Sequence, residues 1–146
     1  KLFGTITDKK ILILGYSYKA NTNDTRESPA KNIINDLLVE GAEITIHDPQ
    51  VREEKIIKDL GEPSNNQNES SFNKWIYSKN LDDSFDNVDA VIILTEWDLY
   101  KNLNWESIYK KVRKPAWIFD TRLVVNKELA IKAGFRFWQL GGSHND

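Results

Sequence analysis

Short apolar runs of strand length, each ended by a turn former and separated from the next by a segment of helical period, constrain this chain more than any other feature. The first, Lys10-Ile-Leu-Ile-Leu-Gly15, reads as a strand buried on both faces. After an irregular stretch, Ser28 is placed to cap a helix with Pro29 in its first turn, and Gly41 closes it. Within it Ala30, Ile33, Ile34, Leu37 and Leu38 form one apolar face suited to packing on a sheet. A strand from Glu43 to His47 ends at Asp48-Pro49, and Val51 to Leu60 reads as a weaker helix. Trp75 to Tyr77, Val88 to Leu94, Ala116 to Phe119 and Phe135 to Leu140 are further strands. Between them lie short helices at Leu81 to Asp86, from Asn104 to before Pro115, and from Lys127 to Ala133, the last capped by Asn126 and ended by Gly134. The alternation predicts an α/β fold: a Rossmann-like open, mainly parallel sheet with helices on both faces.

The 146 residues suit one domain spanning 1–146, with 1–9 as the end of an upstream linker and 61–73 as a polar surface loop. A net charge of −2 supplies no basic stripe for nucleic acid. No apolar run approaches the length of a membrane span, no signal-peptide pattern opens the chain, and a cytoplasmic location is expected. Zero cysteines remove a thiolate nucleophile and Cys-ligated zinc, and His47 and His144 are too far apart in sequence to suggest a metal cluster. Neither histidine is given a role. With no methionine either, the chain is expected to be a piece of a longer protein whose upstream part holds chemistry absent here.

In an open parallel sheet, ligands collect beyond the carboxyl ends of the strands. After the first strand comes Gly15-Tyr-Ser-Tyr-Lys-Ala-Asn-Thr-Asn-Asp-Thr-Arg-Glu-Ser-Pro29, where a dinucleotide fold would carry G-x-G-x-x-G. One glycine in place of three argues against a main NAD-binding domain. The loop offers Tyr18, Lys19 and Arg26, an aromatic ring and two cations suited to a nucleotide diphosphate. The residues alone leave open whether Tyr18 is core packing and the cations merely solvated. Thr95-Glu96-Trp97-Asp98 reads as a helix cap with a packed indole. In Phe119-Asp120-Thr121-Arg122 the arginine is either a phosphate clamp or the partner of a plain Asp-Arg ion pair. Asp48 stands where a Rossmann domain puts its ribose-binding acid, but Asp-Pro is also a turn former, and the turn is the favoured reading.

Taken in order, GYSYKANTNDTRESPA, HDPQV, DAVIILTEWD and KPAWIFDTR resemble the C-terminal domain of the UDP-glucose 6-dehydrogenase family, from about Phe3 to Gly141. GDP-mannose and UDP-N-acetylmannosamine dehydrogenases share that domain and are the related alternatives. The resemblance implies a UDP-binding domain of a larger, homo-oligomeric enzyme. Its N-terminal domain binds NAD, its central region carries a catalytic cysteine, and UDP-glucose is oxidised to the acid with two NAD. It further implies Tyr18 and Lys19 on the substrate, Arg26 on NAD across a cleft, and Arg122 on the substrate from a neighbouring subunit's loop. No catalytic residue is expected in this chain, which lacks the cysteine. Two positions depart from the family pattern: Tyr18 replaces a common phenylalanine, and Thr121 stands where glycine is usual. If that second position needs a left-handed backbone, threonine strains it. Two readings of other classes compete. A signalling receiver domain lacks its acidic pair after the first strand here, and a non-catalytic α/β interaction module would leave the cations without a common target.

Overall fold

The computed structural model describes residues 5–26, 28–63 and 74–140. Six strands form a single sheet: β1 (Lys10–Leu14), β2 (Glu43–His47), β3 (Trp75–Tyr77), β4 (Ala90–Ile93), β5 (Trp117–Asp120) and β6 (Arg136–Gln139). Among the described residues five α-helices connect them: α1 (Ala30–Val39) before β2, α2 (Glu53–Leu60) before β3, α3 (Leu81–Ser84) before β4, α4 (Trp105–Tyr109) before β5 and α5 (Lys127–Ala133) before β6. Every pairing is parallel and the order is β3-β2-β1-β4-β5-β6. This is the doubly wound arrangement that the alternating pattern predicts. The chain adds β2 and β3 on one side of β1, then returns to start β4 on the other, so the topological switch point lies between β1 and β4.

Strand alternation divides the core into two layers. Ile11, Ile13, Ile44 and Ile46 face Ala30, Ile34, Leu38 and Ile56 of α1 and α2, while Leu12, Leu14, Val91, Ile93 and Ile118 face Phe85, Trp105 and Ile108 on the opposite side. The apolar face read for α1 is the one that packs. Its N-terminus differs slightly from expectation: Pro29 occupies the cap position, and the Ser28 hydroxyl accepts the Ala30 N–H at 3.1 Å.

Residues 5–9 are tied down in the described structure. The Thr7 hydroxyl donates to the Glu40 carbonyl at 3.1 Å and the Asp8 N–H to the Gly41 carbonyl at 2.9 Å, fastening the segment to the turn between α1 and β2. Of the loop read at 61–73, residues 64–73 lie outside the described residues, as does His144. His47 is buried and does have a partner: its Nδ1 lies 2.8 Å from the Tyr100 hydroxyl oxygen, which also lies 3.0 Å from the His47 carbonyl. Burial pushes the His47 pKa below its ordinary value, against the opposing pull of Asp48.

Candidate functional site at the carboxyl edge of the sheet

Gly15 turns the chain at the end of β1 with φ +100°, and a Cβ there would lie 2.3 Å from the Thr95 Cβ and 2.7 Å from the Thr95 backbone nitrogen. Only glycine fits, so the loops after β1 and β4 meet in direct contact at the switch point. Thr95 does not cap a helix as the sequence suggests. Its hydroxyl donates to the Ser17 carbonyl at 2.8 Å, and the turn that follows is a 3₁₀ turn at Asp98–Tyr100 with Trp97 at its cap position. The indole of Trp97 is packed, as the sequence predicts: the residue is buried.

Asp48 is 2% exposed and both its oxygens are engaged. Oδ2 accepts the backbone N–H groups of Tyr16 and Ser17 at 2.8 and 2.9 Å, the Ser17 hydroxyl at 2.9 Å and the Trp97 indole N–H at 3.2 Å. Oδ1 accepts the N–H groups of Gln50 and Val51 at 2.9 and 3.1 Å. A carboxylate so occupied has nothing left for a ribose, which supports the turn-forming reading. The N–H groups that could face a pyrophosphate are occupied too, so the strand end does not fit a dinucleotide.

The four candidate ligand residues lie on the loops after β1 and β5. The Tyr18 side chain is 38% exposed, which excludes the core-packing reading. Its N–H donates to the Asp24 carbonyl at 2.6 Å, folding the loop back on itself, with Lys19 exposed on the bend. Arg26 donates from Nε and Nη2 to the two Asp24 oxygens at 3.1 and 2.9 Å while its own side chain stays 85% exposed. Hydrogen bonds from the Arg26 side chain and backbone hold the Asp24 carboxyl down to about 2, and Lys19 adds a smaller Coulombic pull in the same direction.

Arg122 lies on the loop after β5. Asp120 does not pair with its guanidinium; the carboxylate instead accepts the N–H groups of Arg122 and Val125 at 3.0 and 2.8 Å and the Gln139 amide at 3.1 Å. The guanidinium reaches across the switch point. Nε donates to the Leu94 carbonyl at 3.1 Å and Nη2 to the Tyr18 carbonyl at 2.9 Å. Its remaining N–H groups are left to bond a ligand. Thr121 is not in the left-handed region, and its hydroxyl donates to the Ile93 carbonyl at 2.6 Å; the left-handed residue of the loop is Leu123, at φ 61°. The feared strain at Thr121 is therefore absent.

The structure thus sets the Arg122 guanidinium against the Tyr18 carbonyl, next in sequence to Lys19, while Asp24 on the same loop pairs with Arg26 and feels the charge of Lys19. Sequence reasoning passed over Glu96, whose Oε1 is shut off from solvent, makes no hydrogen bond and lies 3.7 Å from Arg122 Nε. Only the position of Glu96 directly after a strand end could have flagged it. Among the described residues no group of three or more His, Cys, Asp or Glu could hold a metal ion. Burial pushes the phenols of Tyr16 and Tyr100 above their ordinary range. A groove of about 650 Å³ lies elsewhere, near β3, lined by Thr45, Ile76, Ser78 and Asn80. Its cations Lys10, Lys74 and Lys79 are matched by Glu43, Asp83 and Asp86, so it offers no net positive field to a diphosphate.

Residues 12–127 match the model of the UDP-glucose/GDP-mannose dehydrogenase family, UDP binding domain. The chain is 45% identical over 125 residues to a UDP-glucose 6-dehydrogenase of Pongo abelii, an alignment covering 86% of this chain and 25% of that protein. It therefore spans about a quarter of the length of that curated relative. In fold it is similar to an NDP-N-acetyl-D-galactosaminuronic acid dehydrogenase from Methanosarcina mazei Go1, with a TM-score of 0.74 at 24% identity over 96% of this chain and 26% of that one. A UDP-D-ManNAc dehydrogenase from Pyrococcus horikoshii superposes with a TM-score of 0.68 at 28% identity, covering 94% of this chain and 26% of that one.

Proposed function

The chain belongs to the UDP-glucose/GDP-mannose dehydrogenase family, and from that we propose that it binds the UDP of a nucleotide sugar between Tyr18, Lys19 and Arg122 as one domain of a larger oxidoreductase. The observation that carries the reading is the bond from the Arg122 guanidinium to the Tyr18 carbonyl, which sets a guanidinium beside the residue preceding Lys19. Two cations at one sheet edge can neutralise a diphosphate, and the exposed Tyr18 ring offers a flat face to a base. The resemblance implies that Arg122 acts on the substrate of a neighbouring subunit. We place it in the same chain's site, because its side chain is already held against Tyr18 of its own domain.

In the whole enzyme this domain holds the substrate while other regions do the redox chemistry. The resemblance implies a cysteine nucleophile; this chain has none, and we assign both that nucleophile and the main NAD site to other regions of the longer enzyme. Bound there, NAD would supply the hydride acceptor, and Arg26 would be this domain's residue toward it. UDP-glucose is the favoured substrate because the curated relative is named for it; UDP-N-acetylmannosamine and GDP-mannose are the alternatives. A homo-oligomer acting on nucleotide sugars in the cytoplasm fits this chemistry. Competition binding with UDP, GDP and ADP on the chain tests the reading: UDP is expected to bind most tightly, and equal binding of all three would set aside a uridine site.

A further inference from the structure

We propose that Asp48 is a positioning residue for the ligand loop: an internal anion that fills the donor nest at the switch point and so directs an incoming diphosphate to Lys19 and Arg122. This rests on the UDP reading above. Four donors converge on one oxygen, Asp48 Oδ2: the N–H groups of Tyr16 and Ser17, the Ser17 hydroxyl and the Trp97 indole. Successive backbone N–H groups aimed at a single point form an anion-binding concavity. In a dinucleotide-binding domain the turn after the first strand offers its backbone to a pyrophosphate. Here the anion comes from the end of β2, is 2% exposed, and cannot be exchanged for a ligand without leaving a carboxylate buried and unpaired.

The same oxygen sets the direction of the loop. It fixes Tyr16 and Ser17 immediately before Tyr18 and Lys19, and through Trp97 it ties the loop after β4 to the loop after β1. Arg122 then bonds one carbonyl from each of those loops, Tyr18 and Leu94. Asp48 therefore acts on the ligand through Ser17 and Trp97, without touching it.

The test is a UDP titration of the chain, its Asp48→Asn and Lys19→Ala variants, and the double variant, with a thermal melt of each. An amide has one acceptor oxygen in place of two, so Asp48→Asn leaves at least two of the six donors unmatched while keeping the shape. A folded Asp48→Asn protein is expected to bind UDP about tenfold more weakly, and Lys19→Ala is expected to cost far less in that background than in the wild type, since coupled sites are not additive. Unchanged UDP affinity, or a loss that simply adds to that of Lys19→Ala, overturns the proposal. If Asp48→Asn does not fold, Ser17→Ala, which removes one donor from the same oxygen, is judged by the same criteria. Failure of the wild type to bind UDP at all overturns the UDP reading itself, and this proposal with it.

Discussion

The Arg122 Nη2 atom lies 2.9 Å from the carbonyl oxygen of Tyr18, a hydrogen bond that spans 104 residues of sequence. Together with the bond to Leu94 it makes one side chain the tie between the loops following β1, β4 and β5. Arg122 is therefore both a structural strut and a candidate ligand group, and replacing it affects both roles.

Arg122→Ala is expected to weaken UDP binding by an order of magnitude or more and to destabilise the domain as well. Each lost hydrogen bond is worth about 0.5–1.5 kcal/mol, toward the lower end here because the side chain is about one-third exposed. Paired titration and melting curves separate the two effects. A normal melting temperature would show that the carbonyl bonds contribute nothing to the fold.

Lys19 behaves differently, because its side chain is exposed. Lys19→Ala is expected to leave the melting temperature unchanged while raising the UDP dissociation constant at least about tenfold, as for a charged hydrogen bond worth about 1.5–3 kcal/mol. A destabilised domain with unaltered affinity would make Lys19 a structural residue.

His47 makes stability fall with acid. Burial depresses its folded pKa, so the unfolded chain binds a proton more readily. The contribution is complete above the unfolded value of about 6.5 and is lost as pH falls through the lower folded value. Melting temperatures between neutral and mildly acidic pH should therefore drop, and His47→Asn should flatten that dependence. A wild type with no pH dependence over this range would contradict the assignment. Asp24, whose folded value is also depressed, acts in a separate window: its contribution is present above about 3.9 and is lost as pH falls toward about 2.

Mixed with UDP-glucose and NAD, the chain is expected to produce no NADH, since it has no cysteine and Asp48 occupies the donors at its switch point. Turnover measured spectrophotometrically with the purified chain would contradict the division of labour proposed above.

The strands were legible because Ile11 to Leu14 and Val91 to Leu94 are local apolar runs, and α1 because its apolar positions share one face. The site was legible only as far as residue type and position after a strand allow. Lys19 and Arg122 stood out as cations following strand ends, and Arg26 as a cation just before a helix N-terminus. Nothing local told that Arg122 would seek the carbonyls of Tyr18 and Leu94 rather than Asp120, nor that the Thr95 hydroxyl would bond Ser17 across 78 residues. The same holds for His47 and Tyr100, which lie 53 residues apart. These contacts are set by the order of the strands, which decides which loops meet. The left-handed residue at Leu123 was missed for a different reason: leucine disfavours that conformation, and the surrounding loop, anchored by Asp120, imposes it.

The central claim is that UDP sits at the carboxyl edge of the sheet against Tyr18, Lys19 and Arg122. Backbone amide chemical shifts of the chain, followed by NMR as UDP is added, test it most directly. The account predicts saturable shifts concentrated at 15–26, 94–97 and 120–123, with the midpoint moved at least about tenfold higher in UDP for Lys19→Ala. Shifts confined to the groove lined by Thr45, Ile76, Ser78 and Asn80, or no saturable shifts at all, would contradict it.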